Sequence, residues 1–130
     1  MQDRPNQAEL IESVRRFIEE EIVPAIADRR LKFRSRVAAH VLSVAARERE
    51  LEGRLLEAEQ SRLAALLPHA ASRTADLPLR ERVEALNVEL ASSIRSGTIV
   101  AAPGNSLWDH LRLTAREKLE IANPGKLRGL

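Results

Sequence analysis

An all-α fold, a compact bundle of about five helices in one domain, is predicted by three features of the sequence. The composition is rich in leucine, alanine, arginine and glutamate, which favour helices. Aromatic residues are few, and residues 98–100 are the one strand-like run. Apolar residues recur at intervals of three and four, the period of an amphipathic helix. A chain of 130 residues can bury a core, so we expect a single domain over residues 1–130.

The first helix is predicted over residues 7–27. Asn6 and Glu9 have the spacing of a capping box. Pro24 removes one backbone hydrogen bond, so we expect the last turn to kink or restart there. An apolar stripe at helical spacing, broken by Glu21, supports this helix: Leu10, Val14, Phe17, Ile18, Ile22, Ala25 and Ile26.

Two further helices are predicted over residues 31–51 and 55–67. Gly53 separates them because glycine weakens a helix and marks a bend or boundary. Pro68 follows the shorter helix, and residues 68–74 are predicted to form a loop of small and polar residues. The two apolar stripes are Phe33, Val37, Val41, Val44, Ala45 and Leu51, then Leu56, Leu63, Leu66 and Leu67.

The fourth helix has the most regular stripe in the chain. Asp76 is its predicted N-cap, with Pro78 in the first turn, and Gly97 is its predicted C′ residue. The stripe consists of Leu79, Val83, Leu86, Leu90 and Ile94.

Ser106 is the predicted N-cap of the fifth helix, with Asp109 at the reciprocal capping position. This helix ends at Asn123, because a residue before proline is pushed out of the helical region. Its stripe is Leu107, Leu111, Ala115, Lys118, Leu119 and Ala122. The first, second, fourth and fifth helices are long enough to form four walls of a bundle, and the third is a shorter packing element.

The sequence offers no catalytic, metal or cofactor constellation. The chain has no cysteine, and none of its histidines follows a glutamate by three residues, the spacing of di-iron bundles. Ser43 follows His40 by three residues, a spacing common by chance, and there is no glycine-rich phosphate loop. We therefore expect no enzymatic activity.

No apolar run approaches the ~20 residues of a membrane helix, and residues 1–6 lack a signal core. We therefore expect a cytoplasmic protein without a membrane interaction.

One polar stripe is a candidate ligand site. Arg36, His40, Ser43 and Arg47 lie at helical spacing and could form an edge for an anionic group. Alternatively, His40 is half-buried and bonded to a carbonyl or carboxylate, or belongs to a partner interface. Lys118 falls within an apolar stripe, where it could extend along the core edge or pair with Glu21. The candidate anion-binding edge is Arg36, His40, Arg47 and Lys118.

Charge is concentrated near the second predicted helix. Residues 29–36 hold five cations and no acid, and three glutamates lie upstream at residues 19–21. The opposite charges could neutralise each other across a helical hairpin, or the basic segment could bind an anionic ligand. The absence of an aromatic platform and of a helix-turn-helix signature argues against nucleic acid.

Several blocks of the chain resemble an uncharacterised bacterial family of small helical proteins, a domain of unknown function. They are residues 2–5 with 9–11, residues 17–21 with Pro24-Ala25, residues 33–40, and residues 111–114, 118–119 and 122–124. Members of that family are often encoded beside phosphotransferases of the aminoglycoside/choline-kinase type and acyl-CoA dehydrogenases. The resemblance thus implies a helper in such a pathway and brings no catalytic residues.

The leading functional hypothesis is a non-catalytic helical interaction or accessory domain. It would bind a partner protein, such as a kinase-like phosphotransferase or an acyl-CoA dehydrogenase, or form a homo-oligomer. The alternative is a small-ligand binder for an anionic group of phosphate or acyl-CoA type.

Overall fold

The computed structural model describes residues 4–129, which contain helices and no strand. The elements are α1 (Gln7–Phe17), a π-helical turn (Ile18–Ile22), α2 (Val23–Ala25), α3 (Arg29–Leu66), α4 (Pro68–Arg73), α5 (Leu79–Arg95), α6 (Ser106–Ala122) and a closing 3₁₀ helix (Pro124–Gly129). The predicted all-α class is confirmed.

The start and the irregular end of the first predicted helix are confirmed. The Glu9 backbone N–H donates to Asn6 Oδ1 at 2.9 Å, and the Asn6 N–H donates to the Glu9 carboxylate at 2.7 Å. The irregularity precedes Pro24 as the π-helical turn, in which the Val23 N–H donates to the Ile18 carbonyl. Proline has no N–H, and its ring crowds the carbonyl four residues earlier in an α-helix. The wider π-helical turn before Pro24 makes room for this ring.

The predicted end of a helix before Gly53 is wrong, because α3 is one helix of 38 residues. Glycine costs about 1 kcal/mol relative to alanine within a helix, which strong helix formers on both sides offset. No atom lies within 4 Å of a Cβ built at Gly53, so no close packing marks this position. Asp28 caps the helix, since the Leu31 N–H donates to its carboxylate at 2.6 Å.

The predicted loop over residues 68–74 is also wrong. Pro68 starts α4, where its missing N–H is harmless, and small residues continue the helix to Arg73. Consequently the shorter packing helix is α4, and the segment 55–67 is part of α3.

Two predicted caps are wrong, whereas two helix ends are confirmed. Asp76 does not cap α5, which starts after Pro78 without a side-chain cap. Asn105 rather than Ser106 caps α6, because its side-chain oxygen accepts from the Trp108 N–H at 2.8 Å. Gly97 adopts a φ of 75° just after α5, and α6 ends at Ala122 before the Asn123-Pro124 pair.

The described chain divides into two compact units. Unit 1 comprises residues 4–52 with Ile121–Asn123, and unit 2 comprises residues 53–120 and 124–129. The single domain over residues 1–130 stays a prediction.

Unit 2 contains a closed hydrophobic core. Leu63 and Leu86 are fully buried, and burying a leucine stabilises the fold by about 1.5–3 kcal/mol. The core is supplied by the end of α3, by Leu67 between α3 and α4, and by α4, α5 and α6: Leu63, Leu67, Ala70, Val83, Leu86, Leu90 and Leu107. In the described part of unit 1, by contrast, Val23 and Ala39 are the buried apolar residues.

Candidate interaction surface

Helix α1 keeps its apolar face uncovered. Leu10, Val14 and Phe17 are spaced by four and three residues, so they lie on one side of the helix. Their exposed fractions are 45, 51 and 49%, and α1 contains no buried residue. An amphipathic helix normally buries this side against another element, so the α1 face is available for contact.

The first half of α3 has a similar uncovered face. Phe33, Val37 and Val41 recur at intervals of four and are 66, 44 and 58% exposed. The buried side of this helix is marked instead by Ala39, which has no exposed surface. We call Leu10, Val14, Phe17, Phe33, Val37 and Val41 the apolar surface of unit 1.

Within unit 1, α1 and the first half of α3 run antiparallel. Arg49 Nε donates to the Gln7 side chain at 2.8 Å, which joins the start of α1 to a late position in this part of α3. At the opposite end, Glu19 and Val23 line a shallow cavity together with Lys32 and Arg36. These two contacts at opposite ends show that α1 and this part of α3 form one antiparallel hairpin.

The acidic side chains of α1 and its π-helical turn are neutralised mostly by arginines of the same helix. Arg15 binds both Glu12 and Glu19, and Arg16 binds Glu20 at 3.1 Å. These contacts raise the pKa of Arg15 and Arg16, and the Arg15 hydrogen bond lowers the pKa of Glu12. Glu12, Glu19 and Glu20 thus form ion pairs within the helical segment that carries them.

The basic segment at the start of α3 lacks ion-pair partners. Within residues 4–129, no carboxylate lies within 4 Å of Arg29, Arg30, Lys32, Arg34 or Arg36, so no ion pair joins this segment to the acidic residues across the hairpin. Cations near a helix N-terminus are disfavoured by the helix dipole. The cations in the first turn of α3 therefore remain without a compensating ion pair.

The four residues of the predicted anion-binding edge differ in their exposure and in the groups that they contact. Arg36 is exposed and lines the cavity beside Lys32. His40 is exposed, so its half-buried interpretation is wrong, and its backbone carbonyl accepts from Ser43 Oγ at 2.8 Å. Arg47 is half-buried and donates from Nε to the Ile121 carbonyl at 2.7 Å.

Arg47 therefore satisfies a carbonyl at the end of α6, a position that otherwise lacks an intrahelical partner. It lines a different cavity from Arg36, next to Ser43 and the start of α1. Lys118 belongs to unit 2, where it is exposed on α6. Arg36 and Arg47 thus line two separate surface cavities of unit 1.

Unit 2 contains a buried polar cluster that sequence reasoning missed. Glu59 is 8% exposed and accepts from Asn87 Nδ2 at 2.8 Å, which joins α3 to α5. Arg62 donates to Glu117 at 3.0 Å and to Thr114 at 3.4 Å, which joins α3 to α6. These contacts fix the positions of three helices in unit 2.

His110 completes this cluster. It is 2% exposed, and its Nδ1 has no hydrogen-bond partner among the described residues. Burial and then the charge of Arg62 lower the pKa of His110, which keeps the ring neutral near pH 7.

A signal for the cluster existed in the sequence. Glu59 lies midway between Leu55 and Leu63 at intervals of four, and His110 follows Leu107 by three residues. Both polar residues thus fall on apolar faces, the side of a helix that is normally buried. Among residues 4–129, no three acidic or histidine side chains are grouped closely enough to hold a metal ion. Each helix in the same range is too short or too polar to span a membrane.

A protein-family model matches most of the amino-acid sequence. The model, described as a domain of unknown function (DUF6285), matches residues 24–126. The chain belongs to the DUF6285 family. The predicted membership of an uncharacterised family is thereby confirmed. The match includes the basic segment and all of α3, whereas α1 precedes the matched residues. No curated protein and no solved structure matches the chain.

Proposed function

We propose that this DUF6285 protein is a non-catalytic helical interaction domain. The single observation that carries the proposal is the apolar surface of unit 1, in which two amphipathic helices expose the side that helices normally bury. Protein interfaces concentrate such apolar and aromatic side chains at their centre and charged residues around it. The unpaired cations of residues 29–36 supply such a charged border.

The partner that we propose is another protein chain. The resemblance of the sequence adds two enzyme classes as candidates, a kinase-like phosphotransferase and an acyl-CoA dehydrogenase, which are often encoded beside members of the bacterial family that the sequence resembles. A cytoplasmic accessory protein would meet both classes in the same compartment. The domain would then position or stabilise its partner rather than transform a substrate.

Single substitutions on the apolar surface test the proposal. Val41→Asp places a charge on the exposed ridge of α3 and should abolish binding, because burying an unpaired carboxylate in an interface is costly. Val88→Asp is the matched control, since Val88 is an equally helical valine of unit 2 that is 68% exposed. Size-exclusion chromatography and calorimetry would follow self-association and binding of the purified phosphotransferase and dehydrogenase.

The proposal fails if neither a second copy nor either enzyme binds at micromolar concentration. It also fails if Val41→Asp and Val88→Asp weaken binding equally, because the site would then lie elsewhere or the effect would be nonspecific. Circular dichroism should show unchanged helix content for both variants, since both side chains are exposed.

The second candidate function is binding of an anionic small ligand of phosphate or acyl-CoA type. The observation that favours it is the unpaired Arg36 beside Lys32 at a surface cavity. His40, Arg47 and Lys118 are the other residues of the predicted edge. A rise in Tm with inorganic phosphate or coenzyme A that Arg36→Ala removes would support this candidate, and no rise would exclude it.

A further inference from the structure

We infer that the outward side of the start of α3 binds an acidic amphipathic helix of a partner protein. This inference rests on the proposed interaction function and states which chemistry the partner presents. The residues involved are exposed and lie near the start of α3, so the apolar face of α1 takes no part.

The outward side of this part of α3 is identified by Ala39. Ala39 has no exposed surface, and it lies two residues from both Val37 and Val41. Two residues correspond to about 200° around an α-helix, so Val37 and Val41 lie opposite the buried side. Their exposed fractions of 44 and 58% agree with this position.

Cations and apolar side chains share this outward side. Arg30 precedes Phe33 by three residues and Arg34 precedes Val37 by three, a spacing at which helical side chains are neighbours. The basic ridge of α3 is the name that we give to Arg30, Phe33, Arg34, Val37 and Val41. Residues 29–47 contain six cations and no acid, so the ridge is basic along its whole length.

The charge that complements the basic ridge comes from another molecule. Among residues 4–129, no carboxylate lies within 4 Å of Arg30 or Arg34. Three glutamates of the preceding helical segment are already in ion pairs with arginines of their own segment. A matching partner therefore supplies free carboxylates.

An acidic helix fits the basic ridge better than a membrane or a nucleic acid does. A lipid surface binds a helix through a broad apolar face, whereas the apolar side chains of the ridge form a single row beside arginines. Nucleic acid would leave Val37 and Val41 without a contact, and Phe33 is the one aromatic residue within residues 29–47. A partner helix supplies both components, because its apolar side chains pack on the row and its flanking carboxylates reach the arginines.

Two synthetic peptides of about four heptads test the inference. Both carry leucine at positions a and d; the acidic peptide carries glutamate at e and g, and the basic peptide carries lysine there. Like charges at e and g disfavour pairing of either peptide with itself. Fluorescence anisotropy should show that the full chain binds the acidic peptide at micromolar concentration, less tightly as ionic strength rises, and does not bind the basic peptide.

Substitutions on the basic ridge locate the contact. Arg34→Glu should raise the dissociation constant of the acidic peptide by roughly tenfold or more, because it replaces attraction by repulsion. Arg112→Glu is the matched control and should have little effect, since Arg112 is an exposed arginine of α6 and its reversal changes the net charge equally. Val37→Asp should also weaken binding, whereas Val88→Asp should not.

NMR tests the location without a variant. Addition of the acidic peptide to the ¹⁵N-labelled chain should shift the backbone amide signals of residues 30–41 and leave those of α5 unchanged. Shifts confined to α5 or α6 would place the peptide elsewhere and overturn the inference.

The inference is also overturned if the acidic peptide does not bind, if both peptides bind equally, or if Arg34→Glu and Arg112→Glu weaken binding equally. Vesicles of phosphatidylserine and phosphatidylcholine, and polyuridylate, are the alternative probes. Binding of either one without binding of the acidic peptide would assign the ridge to a lipid or nucleic acid instead. If the acidic peptide fails but Val41→Asp abolishes binding of a second copy or of either enzyme, the proposed function stands.

Discussion

The imidazole of His110 lies in unit 2 among charged groups from two helices. Arg62 and Glu59 belong to α3, and Glu117 and Lys118 belong to α6. Burial and the charges of Arg62 and Lys118 lower the pKa of His110 below its ordinary 6.5, whereas Glu59 and Glu117 oppose that shift. Burial is the largest effect, because a charged imidazolium would lose its water.

This lowered pKa predicts a pH-dependent stability. Below pH 6.5 the unfolded chain takes up a proton on His110 more readily than the folded chain does. The free energy of unfolding therefore decreases as the pH is lowered. The His110 contribution is fully present above 6.5 and is lost as pH falls through the lowered pKa. Thermal unfolding of the wild type and of His110→Leu between about pH 7 and about pH 5 measures the difference.

The exposed His69 provides the control for this measurement. His69→Leu should keep the pH dependence of the wild type, whereas His110→Leu should flatten it. An NMR titration that placed the pKa of His110 at or above 6.5 would contradict the prediction directly.

At the scale of elements, the main finding is the uninterrupted α3. Gly53 lies in its middle, yet the helix continues because its hydrogen-bond ladder needs no Cβ at that position. Glycine acts as a boundary only where the backbone leaves the helical region, as at Gly97 with its φ of 75°. The π-helical turn before Pro24 shows the opposite case, in which a missing N–H changes the helix.

Gly53→Ala should therefore stabilise the protein. The added Cβ meets no atom within 4 Å, and alanine in place of glycine in a helix gains about 0.4–1 kcal/mol. Chemical denaturation followed by circular dichroism measures the change. Gly97→Ala is the contrasting variant and should destabilise, because its positive φ strains an L-residue. Equal effects of the two substitutions would refute this account of α3.

At the scale of the whole molecule, the two units differ in how much apolar surface they bury. Unit 2 holds the cluster around Leu63, Leu86 and Leu107, whereas the described apolar core of unit 1 is Val23 and Ala39. Local opening is easiest where few apolar contacts are buried. The units should accordingly differ in local stability.

Hydrogen exchange should reveal this difference. Amides of α5 should exchange more slowly than those of α1 by roughly tenfold or more at low protein concentration. Protection of α1 should increase with concentration if a second copy covers it, while that of α5 stays constant. Equal protection of α1 and α5 in dilute solution would show that the exposed faces of unit 1 do not lower its stability.

Local chemistry in the sequence determined the helical class, the capping box at Asn6 and the helix end at Gly97. These features depend on residues within a turn or two of one another, so spacing and side-chain type suffice to predict them. The apolar stripes of α1 and α3 were also evident at this range.

Tertiary structure alone decided which stripes are covered. The same spacing buries Leu86 and exposes Val41, because burial depends on neighbours far away in the chain. Arg47 illustrates the distance involved, since its guanidinium bonds to a carbonyl 74 residues later, at Ile121. The burial of Glu59 and His110 likewise follows from the helices that pack around them, which periodicity within one helix does not encode.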